Sequence, residues 1–160
     1  MKNLNSKAIF LCRCAGIAAL YVVLTFVSAA LGLASGAVQV RLSEALTILP
    51  IFTTAAIPGL AIGCFLANLL TGCVTVDIIL GTLATLIGAL GTHFLRRIKP
   101  IAFLPPVISN AIIVPFVLIY AYGIEDAYWF LCLTVGIGEI ISVCVLGFLL
   151  YKALEKKSIF

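Results

Sequence analysis

Long apolar stretches alternate with short polar punctuation along this chain, and the punctuation sets the elements. Residues 14–40, 45–76, 78–95 and 100–124 carry no Lys, Arg, Asp or Glu, and 127–151 carry Glu139 alone. At about 1.5 Å per residue, the runs 14–33, 77–95, 101–122 and 128–151 are each long enough for one helix across a bilayer. The piece from Val40 to Cys73 is long for one helix and short for two. Thr53-Thr54 and Ile57-Pro58-Gly59 interrupt it, and a residue before proline resists helical geometry. That punctuation predicts a hairpin of two shortish helices, 40–54 and 57–73. The expected architecture is an all-α integral membrane protein, with six transmembrane helices in one compact bundle and a single domain over 1–160. Four spans remain open if the hairpin only dips into the membrane from outside.

Composition supports lipid as the solvent. Of 160 residues, 64% are apolar and 10% charged, against about 25% charged in a soluble domain. The net charge of +4 comes from short clusters at the ends of apolar runs, a topology bias rather than a phosphate-binding face. With the N-terminus inside, Lys2, Lys7, Arg13, Arg96, Arg97, Lys99, Lys152, Lys156 and Lys157 lie inside and Arg41 alone lies outside. Both termini are therefore expected in the cytoplasm. Glu44, Asp77, Glu125 and Asp126 then fall on the outer side. The first apolar run imitates a secretion signal but is as long as a span, and it reads as a retained first helix. The six cysteines are scattered through apolar runs without a CxxC and read as packing residues.

Ionisable and amide groups inside spans are costly, so each needs a reason. Glu139 lies about 11 residues below Tyr128, roughly 16 Å deep. Its helical neighbours Gly136 and Ser142 make a stripe that must face the bundle. Asn68 shares a face with Cys64 and Thr71. Asn110 follows Pro105-Pro106. Asp77 heads a stripe of Gly81, Thr85, Gly88 and Thr92. Together with Arg41 and Glu44 these groups are candidates to line one outward-opening pocket for a small molecule. Blander roles stand beside that one. Arg41 and Glu44 fit an i,i+3 pair, the two asparagines fit interhelical glue, and Asp77 fits an N-terminal helix charge. His93 reads as an interfacial residue near Arg96, with a proton relay as the alternative. Small residues form two ridges, Ala15 with Ala19 and Ala56, Gly59, Gly63 with Ala67, suited either to internal packing or to a partner protein.

No phosphate-cradling Gly-x4-Gly-Lys-Ser/Thr loop, no H-E-x-x-H and no G-x-S-x-G occurs. No inverted repeat of the self-sufficient carrier type is visible. The chain thus reads as a binding subunit that borrows its drive, not an enzyme, with no cofactor and no metal expected. Rival readings are an ion-coupled carrier using Glu139 as a proton site and an intramembrane enzyme using Asp77 or Glu139.

The stretch "GAVQVRLSEALTILPIFTTAAIPGLAIGCFLANLLTG", followed by "VDIILGTLATLIGAL", "LPPVISNAIIVPFVL" and "GIGEIISVCVLG", resembles the QueT-type proteins over about residues 12 to 150. These are similar to the substrate-binding S components of energy-coupling factor (ECF) transporters that import queuosine precursors. The resemblance implies a six-helix subunit that binds its ligand on the outer side of the cytoplasmic membrane. It also implies assembly with a transmembrane coupling protein and two ATPase subunits, docked through the Ala15 and Ala19 face, and no nucleic-acid partner. The implied cargo is queuine or a related 7-deazaguanine, with an S component for another vitamin as the alternative. A carboxylate, Glu139 or Glu44, could accept the two N–H donors of a guanine-like edge. Asn68 or Asn110 could serve the ring carbonyl, and Trp129, Tyr128 or Phe130 could stack on the base, with aromatic-belt anchoring as their other role. Arg41 would then orient Glu44.

Overall fold

The computed structural model describes residues 2–33 and 38–157. It contains α1 (Lys2–Ala30), α2 (Ala56–Leu70), α3 (Thr75–Leu95), α4 (Leu104–Tyr120), α5 (Tyr128–Glu139) and α6 (Gly147–Lys157). A 3-10 segment, Leu42–Ile51, runs between α1 and α2, and a short one, Ile101–Phe103, leads into α4. A π-helical segment, Ile140–Leu146, joins α5 to α6. Among the described residues there is no strand. Four helical rods are long and apolar enough to cross a membrane: Ser6–Ala30, Thr75–Leu95, Ile101–Tyr120 and Tyr128–Lys156.

The expected hairpin is present as two shorter apolar pieces, the Leu42–Ile51 segment and α2. Its break falls at Phe52–Ala55, ahead of Ile57-Pro58 rather than on it. Pro58 sits in the first turn of α2, where a missing N–H removes no intrahelical bond. Pro50 lies inside the 3-10 segment, and its carbonyl oxygen faces His93 Nδ1 at 3.1 Å, tying that segment to the end of α3.

Six helical runs thus alternate in direction through one bundle. Helices α1 and α2 run parallel, with the 3-10 segment returning between them. Their contact is made by glycine: a Cβ on Gly59 would lie 2.9 Å from the Cys14 carbonyl oxygen, and one on Gly63 would lie 2.7 Å from Tyr21 Cβ. The ridge from Ala56 to Ala67 is therefore consumed by internal packing. Ala15 and Ala19 lie on the opposite, exposed side of α1. The buried face of α3 carries Gly81, Thr85, Gly88 and Thr92, and Gly88 admits Pro106 and Ser109 of α4.

Burial is inverted relative to a soluble protein. Large apolar side chains such as Leu31, Ile79 and Leu133 face outward. Glu44, Asn68, Thr85, Asn110, Glu139 and Ser142 are buried. With no water in a bilayer core, polar groups must find partners inside the bundle, and this distribution gathers them there, with Thr92 Oγ1 and Glu139 Oε2 left without a partner. An apolar cluster around Ile48, Leu60, Phe103, Val143 and Tyr151 fills the other half of the interior. The two ends of the bundle differ. One carries Arg41, Asp77 and Tyr122. The other carries His93, Arg96 and the exposed Lys99–Glu155 ion pair at 2.6 Å.

Candidate functional site

Helix α1 brings three polar side chains to the interior at helical spacing: Tyr21, Thr25 and Ser28. The Tyr21 hydroxyl donates to Glu44 Oε1. Thr25 Oγ1 donates to Ser43 Oγ at 2.9 Å, and Ser28 Oγ accepts from the Leu42 N–H at 2.8 Å. These bonds fix the start of the 3-10 segment against α1, which is how Glu44 comes to be buried at 1% exposure. Asn110 of α4 offers Nδ2 to Glu44 Oε2 at 3.5 Å, a long contact.

Arg41 does not fold back onto Glu44. Its Nη2 donates to Asn68 Oδ1 at 2.8 Å, bridging to α2. The Asn68 amide in turn points at the carbonyl of Asp77, 3.5 Å away, through space left by Gly81, where a Cβ would approach Nδ2 to 2.9 Å. The i,i+3 pairing of Arg41 with Glu44 is thus replaced by an Arg41–Asn68 bridge between elements. The physical reason is that Arg41 is extended (φ −103°, ψ 108°) and precedes the helix instead of lying on it.

Glu139 closes the group from α5, immediately before the π-helical segment. It is 7% exposed, and its Oε2 has no hydrogen-bond partner. Glu44, Arg41 and Asn110 are its polar neighbours. Gly138 allows this approach: a Cβ there would lie 2.0 Å from the Gln39 carbonyl oxygen, so the extended segment before Arg41 rests directly on α5. Five of the expected residues, Arg41, Glu44, Asn68, Asn110 and Glu139, therefore form one contiguous polar group drawn from four helical runs and the extended segment.

A cavity of about 370 Å³ opens above this group at the Asp77 end, bounded by Ser28, Gln39, Arg41, Thr71, Asp77 and Tyr122 among others. Such a volume is within the ~300–1,000 Å³ of small-molecule sites. Asp77 Oδ2 accepts the Tyr122 hydroxyl at 2.8 Å across its mouth. Partial burial, and then the Asp77 carboxylate, hold the Tyr122 phenol above its usual pKa. Glu44, Asn68, Asn110 and Glu139 do not line the cavity; they lie behind Arg41, which forms part of its wall. A second cavity of about 100 Å³ adjoins the first along α5.

Trp129 is placed differently from the stacking role expected of it. It is 77% exposed, packs edge-on to Tyr128 and borders neither cavity. Tyr128 donates its hydroxyl to the Ile112 carbonyl at 3.0 Å, whereas Phe130 borders the smaller cavity. Ser28, Gln39 and Tyr122, which border the cavity, and Tyr21, which holds Glu44, were not among the candidates drawn from the sequence. The Tyr21, Thr25, Ser28 spacing was the available signal, three hydroxyls on one face of an otherwise apolar helix.

A helical bundle with its apolar side chains outward, four rods of membrane-crossing length, and carboxylates and amides gathered inside is a multi-pass membrane protein. The chain belongs to the QueT transporter family, whose model matches residues 11–156. It is similar to the queuosine precursor transporter QueT of Lactococcus lactis subsp. cremoris (strain MG1363), with 35% identity over 96 residues. That match covers 59% of this chain and 56% of the relative, so it spans little more than half of the relative's length. No solved structure matches. Membership in a transporter family sets aside the rival enzyme reading, and it agrees with the QueT-type resemblance drawn from the sequence.

Proposed function

We propose that the protein is the substrate-binding membrane subunit, an S component, of an ECF-type importer that takes up a queuosine precursor, a 7-deazaguanine base. The observation that carries this reading is the cavity at the Asp77 end with Arg41 in its wall and an unpaired Glu139 oxygen among the groups behind it. A buried carboxylate oxygen without a donor calls for one, since leaving it unmade costs about 1–3 kcal/mol or more for a charged group. The ring N–H and exocyclic amine of a guanine-like edge are two parallel donors of the required kind. Asn110 neighbours the Glu139 carboxylate with both donor and acceptor character, and Asn68 positions Arg41. For the edge to reach Glu139, Arg41 must swing aside, so its bridge to Asn68 acts as the latch of the site. Asp77 supplies a carboxylate at the mouth.

All six runs cross the membrane in this proposal, with the termini and nine of the ten basic residues in the cytoplasm. At about 2.0 Å and 1.5 Å per residue, the 3-10 segment and α2 extend only about 20 and 22 Å, so they need polar partners at their ends rather than lipid. The cavity then faces outward. The exposed Ala15 and Ala19 offer a close-approach face for the coupling protein, and two ATPase subunits supply the energy.

Uptake of labelled 7-aminomethyl-7-deazaguanine in cells tests this directly. Uptake should require both this chain and the ATPase subunits, and it should persist when a protonophore is added while ATP is maintained. The orphan oxygen of Glu139 also suits an ion-coupled carrier. Collapse of uptake by the protonophore, without need of the ATPases, would establish that reading in place of ours.

A further inference from the structure

The two cavities are neighbours with common walls. Gln39, Leu118 and Ile124 border both of them. The larger holds about 370 Å³ and the smaller about 100 Å³, the latter equal to the liquid volume of about three waters. A fused bicyclic base does not fit the smaller one, but a short substituent does. Its lining is specific in character: Phe130 supplies an apolar wall, Thr134 comes from the buried face of α5, and Asp126 contributes a carboxylate. Asp126 is exposed, so its charge stays hydrated and attractive to a cation without being neutralised by a protein partner.

Resting on the function proposed above, we infer that the smaller cavity is a subsite for a short, positively charged arm carried by the base, with Asp126 as the residue that selects for that charge. The ligand class this defines is a 7-deazaguanine bearing an aminomethyl-type substituent. The bicycle occupies the larger cavity, and the arm passes Gln39 into the smaller one. The apolar wall takes the methylene and the carboxylate takes the ammonium. A primary amine of this kind remains charged at neutral pH.

Equilibrium dialysis of the full-length chain in lipid nanodiscs tests the assignment with three probes: 7-deazaguanine, 7-cyano-7-deazaguanine and 7-aminomethyl-7-deazaguanine. The wild-type chain should favour the aminomethyl base over the other two by about fivefold, the upper range for one exposed ion pair, and added salt should shrink that margin. In Asp126→Asn the margin should vanish while affinity for the two uncharged-arm bases is unchanged. Asp126 is exposed, so this substitution leaves the packed bundle intact. Phe130→Ala should weaken the two armed bases and spare 7-deazaguanine. The inference is overturned if Asp126→Asn keeps the preference, or if it weakens all three bases alike. A wild-type chain that binds none of the three would instead overturn the base-uptake function itself, and this subsite with it.

Discussion

Glu44 accepts the Tyr21 hydroxyl on Oε1 and faces the Asn110 amide with Oε2, whereas Glu139 Oε2 has no donor. The two acids therefore respond differently to substitution. Tyr21→Phe leaves a buried carboxylate short of one donor and should destabilise the chain by about 1–3 kcal/mol, read as a lower melting temperature in detergent. Glu139→Gln replaces a carboxylate whose Oε2 has no partner in the protein. It should cost little stability yet weaken ligand binding by about 1–3 kcal/mol. Gly138→Ala places a methyl group where the Gln39 carbonyl oxygen lies, 2.0 Å away. It must displace the extended segment and with it Arg41, so binding should fall sharply while the helices remain folded by circular dichroism. Trp129 borders neither cavity, so its emission should not report ligand, and Trp129→Phe should leave affinity unchanged.

Among the helices, the α1–α2 contact depends on the absence of side chains. Gly63 meets Ala18 and Tyr21 so closely that Gly63→Leu must separate the two helices. Overpacking of this kind costs about 1–3 kcal/mol or more, and a thermal melt in detergent checks it. The four long helical runs were legible because charge-free runs of bilayer length admit few alternatives, and so was the break between two shorter pieces, from Thr53-Thr54 and Pro58-Gly59. Two features were not. Pro50 aside, nothing in "LSEALTILPI" distinguishes a 3-10 from an α-helix, because the segment is held by hydrogen bonds that Thr25 and Ser28 make across the bundle. The π-helical turn after Glu139 was equally hidden. It places Ser142 Oγ on the Gly138 carbonyl at 2.9 Å and passes the chain into α6 with a changed facing, a tertiary adjustment that local propensity does not encode. Depth alone identified Glu139, but only the packed bundle shows that Arg41 bridges to Asn68 and not to Glu44. The sequence could not choose among Trp129, Tyr128 and Phe130 for a related reason: a rotation of about 100° per residue sends Trp129 to the exterior and Phe130 to a cavity wall.

At the scale of the whole molecule, the bundle is polarised. Asp77, Glu125, Asp126 and the two cavities described above lie at one end with Arg41, whereas Arg96, Arg97 and Lys99 lie at the other with Glu155. That asymmetry predicts orientation. In a cysteine-free background, Glu125→Cys should react with a membrane-impermeant maleimide on intact cells, and Arg97→Cys should react only after permeabilisation. The reverse labelling would turn the cavity toward the cytoplasm and contradict uptake.

The central claim is that stranded carboxylates and amides within the bundle recognise a guanine-like edge. Calorimetric titration of the purified chain with 7-aminomethyl-7-deazaguanine, repeated on Glu139→Gln and Glu44→Gln, tests it most directly. The account predicts saturable one-to-one binding by the wild-type chain and a loss of about 1–3 kcal/mol in Glu139→Gln, with Glu44→Gln affected through both affinity and stability. Undiminished affinity in both variants, with their melting temperatures intact, would contradict it.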